Sequence, residues 1–343
     1  MHHQTAPSHL LTSFLSCHSP PGEEWREIEG VVRREMEAAG VPVERDDAGS
    51  LTARLPGDGP RVMVCAHMDE IGMVVNRVEA DGRLRVENCG GAWPWKYGEG
   101  PVDLLGRELV RGVLSVGSVH TNTGVVHELK ASRALTWDLV SVFTGRSAAE
   151  LAEKGVRVGT RAVVARERKQ PQLLGDYVAS FALDDRMGLV ALIAGLREMA
   201  NRSHAADLYF VATTGEEAGM LGAARAAQRI RPEVCVALDT SPVAAGTPLV
   251  VDARPVIWYR GAVYNDKREC DRLYELAESL GMGAQACLYS AAASDAGKVK
   301  QLGLTGRSVC FGFARDNSHG YEIAHAGSLE NVTRLLVEYL PTL

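Results

Sequence analysis

Two histidines and a set of acidic residues interrupt apolar runs that lie far apart in this chain. The run "VMVCAHMDEIGMV", residues 62–74, is broken by His67, Asp69 and Glu70. "YFVATTGEEAG" breaks at Glu216 and Glu217, "EVCVALDTS" at Asp239, and "RSVCFGFARDNSHG" at His319. Asp184 and Asp185 open a helical segment, where the helix dipole favours negative charge. Singly, each feature has an ordinary explanation. A polar residue can end any strand, Asp184 can cap its helix, Asp239 can start a turn, and "TGEEAG" can be a solvated loop. Four apolar runs that all stop on metal-competent side chains are harder to explain one by one. Open parallel sheets bind ligands beyond the carboxyl ends of their strands, so these groups are expected to converge on one sheet edge.

Imidazole and carboxylate together suit borderline divalent ions, Zn²⁺, Co²⁺ or Mn²⁺, whereas an oxygen-seeking ion needs no histidine. Two histidines and three carboxylates are too many for one catalytic ion with an open position. They suit two ions sharing a bridging carboxylate. Such a pair, roughly 3.5–4 Å apart, activates a water and stabilises the oxyanion formed at an attacked carbonyl. Adjacent Glu216 and Glu217 then supply one ligand and one free base. The chemistry is hydrolysis.

The elements that must position these groups are readable from periodicity. Leu10, Leu11, Phe14 and Leu15, then Trp25, Ile28, Val32 and Met36, follow a helical spacing on either side of "SPPGEE". "SLTARLPG" and "RVMVCAH" read as two strands joined by a Gly/Pro turn. The segment from Gly72 to about Arg168 is β-rich: "MVVNRVEADGRLRVENC" alternates about Asp81-Gly82, "RELVRGVLSVGSV" and "VGTRAVVARER" are further strands, and "SAAELAEKG" is its one helix. Strands and helices alternate again after Gln170, with Leu189, Leu192, Ile193 and Leu196 on one helical face and Ser328 as N-cap of a closing helix. This order predicts one α/β domain interrupted by a smaller β-rich domain.

The chain has 343 residues, enough for a sizeable core, and 46% are hydrophobic. A net charge of -6 without any basic tract argues against a nucleic-acid partner. No run of eighteen apolar residues is present, so no membrane helix is expected. The amino-terminal "MHHQTAPSHLLTSFLSCHSPP" has no Lys or Arg before its apolar patch and makes a poor signal peptide. Seven scattered cysteines without a C-x-x-C pair fit free thiols in a reducing, cytoplasmic setting.

The motifs "AHMDEIG", "FALDDRMG", "ATTGEEAG", "ALDTS" and "NSHGYE" occur in the order found in the tetrahedral (TET-type) di-metal aminopeptidases, and the chain resembles that family from "SPPGEE" to its last helix. The resemblance implies an α/β/α sandwich of the di-zinc exopeptidase type. Residues 1–71 and 169–343 would form the catalytic domain, and 72–168 an inserted domain that mediates self-association up to a hollow dodecamer. It implies that Asp184 bridges two ions, that His67 and Asp239 complete one site, and that Glu217 and His319 complete the other. Glu216 would be the general base and Asp69 would orient His67. The substrates would be short peptides cut at their amino terminus.

Two departures bear on this. Relatives carry His-Ser-x-x-Glu, whereas here Glu322 follows His319 by three and His325 comes soon after; His319 is preferred because it stands where the strand ends. Relatives carry Gly-Gly-Thr-Asp-Ala where this chain has "AASDA", so Asp295 is expected near substrate with specificity altered. Trp93 and Trp95, in "GGAWPWKYGEGP", either line a substrate entrance or pack in an interface or hairpin. Other functions use the same residues: a di-metal deacylase or amidase for N-acyl amino acids, or a non-catalytic scaffold, against which the intact acidic set speaks. Glycoside hydrolysis needs two carboxyls flanking a sugar rather than histidine-bound ions.

Overall fold

A computed structural model describes residues 8–118, 120, 127, 129 and 134–343. Residues 1–7 of the amino-terminal stretch and Val119 of the "RELVRGVLSVGSV" run lie outside the described residues. The strand Arg61–His67 organises the larger unit. Its alternate side chains face opposite ways: Val62, Val64 and Ala66 join one apolar core, and Met63 and Cys65 another. The first core is closed by helices His9–Leu15, Ile28–Glu37, Leu183–Met199, Lys267–Ser279 and Ser328–Tyr339, and the second by Leu221–Ile230 and Asp295–Gln301. The result is an α/β/α sandwich. A strand buried on both faces must be apolar throughout, which is why these strands read as continuous hydrophobic runs.

Four neighbouring strands run parallel, in the order Asp207–Thr213, Arg61–His67, Val234–Leu238 and Arg307–Asp316. They belong to a 12-stranded sheet whose outer members are antiparallel. Leu51–Leu55 and Arg61–His67, adjacent in sequence, are separated in the sheet by Asp207–Thr213. The Gly/Pro turn therefore crosses over one strand and does not close a hairpin.

The smaller unit is a closed barrel of six strands, ordered Gly72–Val78, Leu84–Cys89, Ser141–Phe143, Leu109–Ser115, Gly100–Leu105 and Arg161–Val164. Its first two strands form the hairpin expected about Asp81-Gly82, with Gly82 at φ 82°. The barrel has its own core, including Val75, Val86, Leu104, Leu114 and Val142. Beyond Ala148–Glu153, capped by Ser147, it also carries the short helix Pro94–Tyr97.

The two units are joined by buried charge. Lys169 Nζ lies 2.8 Å from Glu70 Oε1 and donates to the Cys17 carbonyl at 2.7 Å. His18 meets that same ammonium through Nδ1 and the barrel residue Asp103 through Nε2 at 2.9 Å. Arg186 lies 3.7 Å from Glu70. Burial works against the ionised Glu70, but Lys169 and Arg186 outweigh it and hold its pKa below the usual carboxylate value.

Two further expectations change. Ser328 is the first residue of the closing helix and not its cap; Gly327 holds the cap position, and the Ser328 hydroxyl donates to the His325 carbonyl. The strand read as ending on His319 ends at Asp316, and His319 lies in the following turn.

Candidate metal centre

The parallel strands deliver their carboxyl ends to one edge, and the polar residues meet there. His67 is the last residue of its strand, Asp239 follows Leu238, and Glu216 and Glu217 lie in the turn after Thr213. Asp184 lies near the start of the helical segment Leu183–Met199, across a cis peptide bond from Asp185. His67 Nε2 is 3.2 Å from Asp184 Oδ1. His319 Nε2 is 3.7 Å from Asp184 Oδ2 and 3.5 Å from Glu217 Oε1. One ligand atom each from His67, Asp184 and Glu217 fit within 4.8 Å of one another, as do atoms from Asp184, Asp185 and Asp239. Asp184 is common to both groups.

The local backbone explains how His319 reaches the cluster from beyond its strand. Asn317 and His319 both adopt left-handed φ, 55° and 59°, which folds the chain back toward the sheet edge. Glu322 accepts the His319 N–H at 3.0 Å, and the Gly91 carbonyl, from the segment before Pro94–Tyr97, faces His319 Nδ1 at 3.0 Å. His325 lies elsewhere, edge-on to Tyr177 and accepting the Gly327 N–H.

Asp69 is fully buried and performs a task its spacing did not announce. Its carbonyl and carboxylate face His67 Nδ1 at 3.1 and 3.4 Å. Its two carboxylate oxygens also accept the N–H groups of Glu216 and Glu217, each at 3.0 Å. Glu24 accepts the preceding Gly215 N–H at 3.0 Å. Burial, with the Asp69 charge beside it, lifts Glu24 to about 7.

Sequence reasoning missed Arg315. Its guanidinium is buried and donates to Asp184 Oδ2 at 2.7 Å, to Glu322, and to Ser318 at 2.9 Å. Glu322 in turn accepts the Asp184 N–H at 3.0 Å. The available signal was an arginine closing an otherwise apolar strand, since a cation there needs buried anions. Asp185, expected with Asp184 at the acidic start of the helix, is fully buried and accepts from Gly188 N–H at 3.1 Å.

The electrostatics are those of anions crowded without enough counter-charge. Burial lifts Asp185, Glu216 and Asp239 well above the ordinary carboxylate range, and neighbouring carboxylates add to it. Glu217 rises to about 7 for the same reasons. Burial also penalises ionised Asp184, but Arg315, His67 and His319 outweigh it, and its pKa falls. Burial acts against the His67 imidazolium, yet Asp184 and Asp69 raise it well above 6.5. A donor set of this kind fits divalent cations, which supply the missing positive charge.

The cluster lies in a cavity of about 690 Å³ whose other walls are mostly neutral, among them Met220, Thr240, Tyr289 and Ala292. Asp295 is not part of that wall; it is buried behind Thr213, whose hydroxyl it accepts, and burial lifts it to about 6. Trp93 and Trp95 are half exposed, and neither lines the cavity, although Gly91 of the same loop does.

Residues 49–335 match the family model described as M42 glutamyl aminopeptidase. The lysyl aminopeptidase of Pyrococcus furiosus is 32% identical over 239 residues, 68% of this chain and 66% of that protein. The matched stretch thus spans just under two thirds of that relative's length. The TET aminopeptidase of a marine-sediment Thaumarchaeota archaeon superposes with a TM-score of 0.88 at 22% identity, covering 97% of this chain and 95% of that one. The Pyrococcus horikoshii TET1 peptidase, reported to assemble into a tetrahedron or a large octahedral shell, gives 0.84 at 24% identity, covering 97% and 99%. These likenesses establish the fold, and with the family match over residues 49–335 the chain belongs to the M42 peptidase family.

Proposed function

We propose that the protein is a metal-dependent aminopeptidase that removes the amino-terminal residue from short peptides. One observation carries this reading above others: His67, Asp184, Glu217, Asp239 and His319, drawn from five separate segments, meet at one sheet edge beside a cavity of about 690 Å³. Asp184 would be shared between two ions, with His67 and Asp239 on one side and Glu217 and His319 on the other. Zn²⁺, Co²⁺ and Mn²⁺ all suit these donors. When bound, such ions polarise the scissile carbonyl and make the attacking water more acidic.

The chain's own groups supply the rest. Glu216 receives the proton of the attacking water on its carboxylate and passes it to the leaving amide nitrogen. Asp69 fixes the turn that carries Glu216 and also orients His67. The acidic cluster favours a substrate's charged α-amine, and the neutral cavity walls receive the first side chain.

Residues 1–71 and 169–343 are taken as the catalytic domain and 72–168 as an inserted domain for self-association, a reading supported by the closed barrel within that segment. The shell assembly of the Pyrococcus horikoshii relative, and the dodecamer described for the PhTET1-12s structure, support a homo-oligomer, up to a dodecamer. Seven buried free thiols support a reducing, cytoplasmic location. Among the described residues no helix is long and apolar enough to cross a membrane.

A panel of aminoacyl-p-nitroanilides and N-acetyl amino acids, assayed with added Zn²⁺, Co²⁺ or Mn²⁺, tests the reading. Release of p-nitroaniline from free-amine substrates is expected. Turnover of the N-acetyl compounds alone would replace the aminopeptidase with a deacylase.

A further inference from the structure

The amino-terminal "SPPGEE" segment has no part in the reaction as described so far, yet it touches both strand ends that build the centre. Ser19 N–H donates to Glu70 Oε1 at 3.0 Å, the Glu70 N–H donates back to the Ser19 carbonyl at 3.0 Å, and the Ser19 hydroxyl donates to the Met68 carbonyl at 2.9 Å. Five residues on, Glu24 is 3% exposed and reaches the turn after Thr213. There Gly215, Glu216 and Glu217 present three successive N–H groups, a backbone arrangement that binds anions. All three are occupied by protein carboxylates: Gly215 by Glu24, and the other two by Asp69. Gly215 takes φ 61°, a conformation that favours glycine, and the turn closes through Met220 N–H to the Gly215 carbonyl at 2.9 Å.

We propose that Glu24 is a positioning residue for Glu216: its carboxylate anchors the Gly215 N–H and, together with Asp69, fixes the turn on which the base is carried. The proposal rests on the reading of Glu216 as general base. Asp69 alone holds the turn at the two glutamates, and the Met220 N–H holds the Gly215 carbonyl, but the Gly215 N–H at the turn's entry has Glu24 as its acceptor. Glu24 thus holds that entry from a different part of the chain. A general base acts only within hydrogen-bond reach of its proton, and a displacement of about 1 Å costs on the order of 100-fold in rate.

Glu24→Met keeps the volume and removes the acceptor, whereas Glu24→Gln retains an oxygen for the Gly215 N–H. With metal-loaded protein and a leucine p-nitroanilide substrate, Glu24→Met is expected to lower kcat about 10- to 100-fold. KM should stay within about twofold and metal content should equal wild type. Glu24→Gln is expected to stay within about threefold of wild type. Hydrogen–deuterium exchange gives a readout independent of turnover: the peptide covering residues 213–220 should exchange faster in Glu24→Met than in wild type, with the barrel unchanged. Should the Met variant fail to fold, Glu24→Asp, one methylene too short, is expected to show the same faster exchange and reduced kcat. Unchanged exchange and kcat in these variants would overturn the proposal. So would a fall in Glu24→Gln equal to that in Glu24→Met, or loss of metal, which would move the effect to Glu217. If wild type released no p-nitroaniline, the aminopeptidase reading would fail, and the exchange result would still decide whether Glu24 anchors the turn.

Discussion

At the scale of single residues, the proposed function separates the groups that would hold cations from the one that would move a proton. Glu216→Gln preserves shape and hydrogen-bonding length but cannot accept the water's proton. It is expected to keep its full metal content while turnover falls by roughly two to four orders of magnitude. Near-normal turnover with metal retained would move the base elsewhere. His319 and His325 make a second contrast. The first faces Asp184 and Glu217, and the second packs on Tyr177. His319→Ala is expected to lower bound metal, measured by elemental analysis, while His325→Ala leaves it unchanged. Of the side chains that converge on the sheet edge, His67, Glu217, Asp239 and His319 were legible because each breaks an apolar run, and Asp184 because it opens a helical segment. Arg315 and Glu24 were not, since the partners that tie them to the centre, Asp184 and Gly215, lie 131 and 191 residues away in sequence. Asp69 was read as a support for His67 alone, because no spacing rule links it to the backbone of residues 216 and 217.

At the scale of elements, parallel pairing explains why the site exists where it does. Strands that read as buried from composition were placed correctly, because burial on both faces demands continuous apolar runs. Their order in the sheet was not readable, as the separation of Leu51–Leu55 from Arg61–His67 shows. Caps and strand ends were also misjudged where one or two hydrogen bonds decide: Gly327 precedes Ser328 as the cap, and left-handed residues at 317 and 319 carry the histidine past its strand. The same elements are tied together by Lys169 and Glu70, both almost completely buried. Lys169→Met leaves Glu70 with its strongest counter-charge removed. It is expected to destabilise the protein by about 3 kcal/mol, read from the denaturant midpoint. The double change with Glu70→Gln should recover part of that loss, because the stranded charge is gone. A double variant less stable than Lys169→Met would contradict this.

At the scale of the whole molecule, the crowded centre links metal, pH and stability. In the metal-free chain, Glu24 and Glu217 are lifted to about 7 and Asp295 to about 6, and Asp185, Glu216 and Asp239 are also raised. An acid whose pKa is raised by folding binds its proton more tightly in the folded state. Its contribution is therefore fully present below the ordinary carboxylate range and is lost as pH rises through the raised pKa, about 6 for Asp295 and about 7 for Glu24 and Glu217. His67 and His319, raised above 6.5, act in the same direction. The lowered groups, Asp184, Glu70 and Asp103, act in the opposite sense but lose their contribution only on acidification below the ordinary carboxylate values. Between about pH 5 and 8 the chelated protein is thus expected to lose thermal stability as pH rises. Bound divalent ions, which require deprotonated ligands, should flatten or reverse that trend. A chelated protein whose melting temperature rose over this range would contradict the assigned crowding.

The most direct test of the central claim is metal stoichiometry measured against turnover on one sample. The protein is stripped with chelator, dialysed, and titrated with Zn²⁺, Co²⁺ or Mn²⁺ while aminoacyl-p-nitroanilide hydrolysis is followed. The expected result is no activity in the stripped protein and recovery that saturates near two ions per chain, with the Asp184→Ala variant failing to recover. Undiminished hydrolysis after complete removal of metal would contradict it.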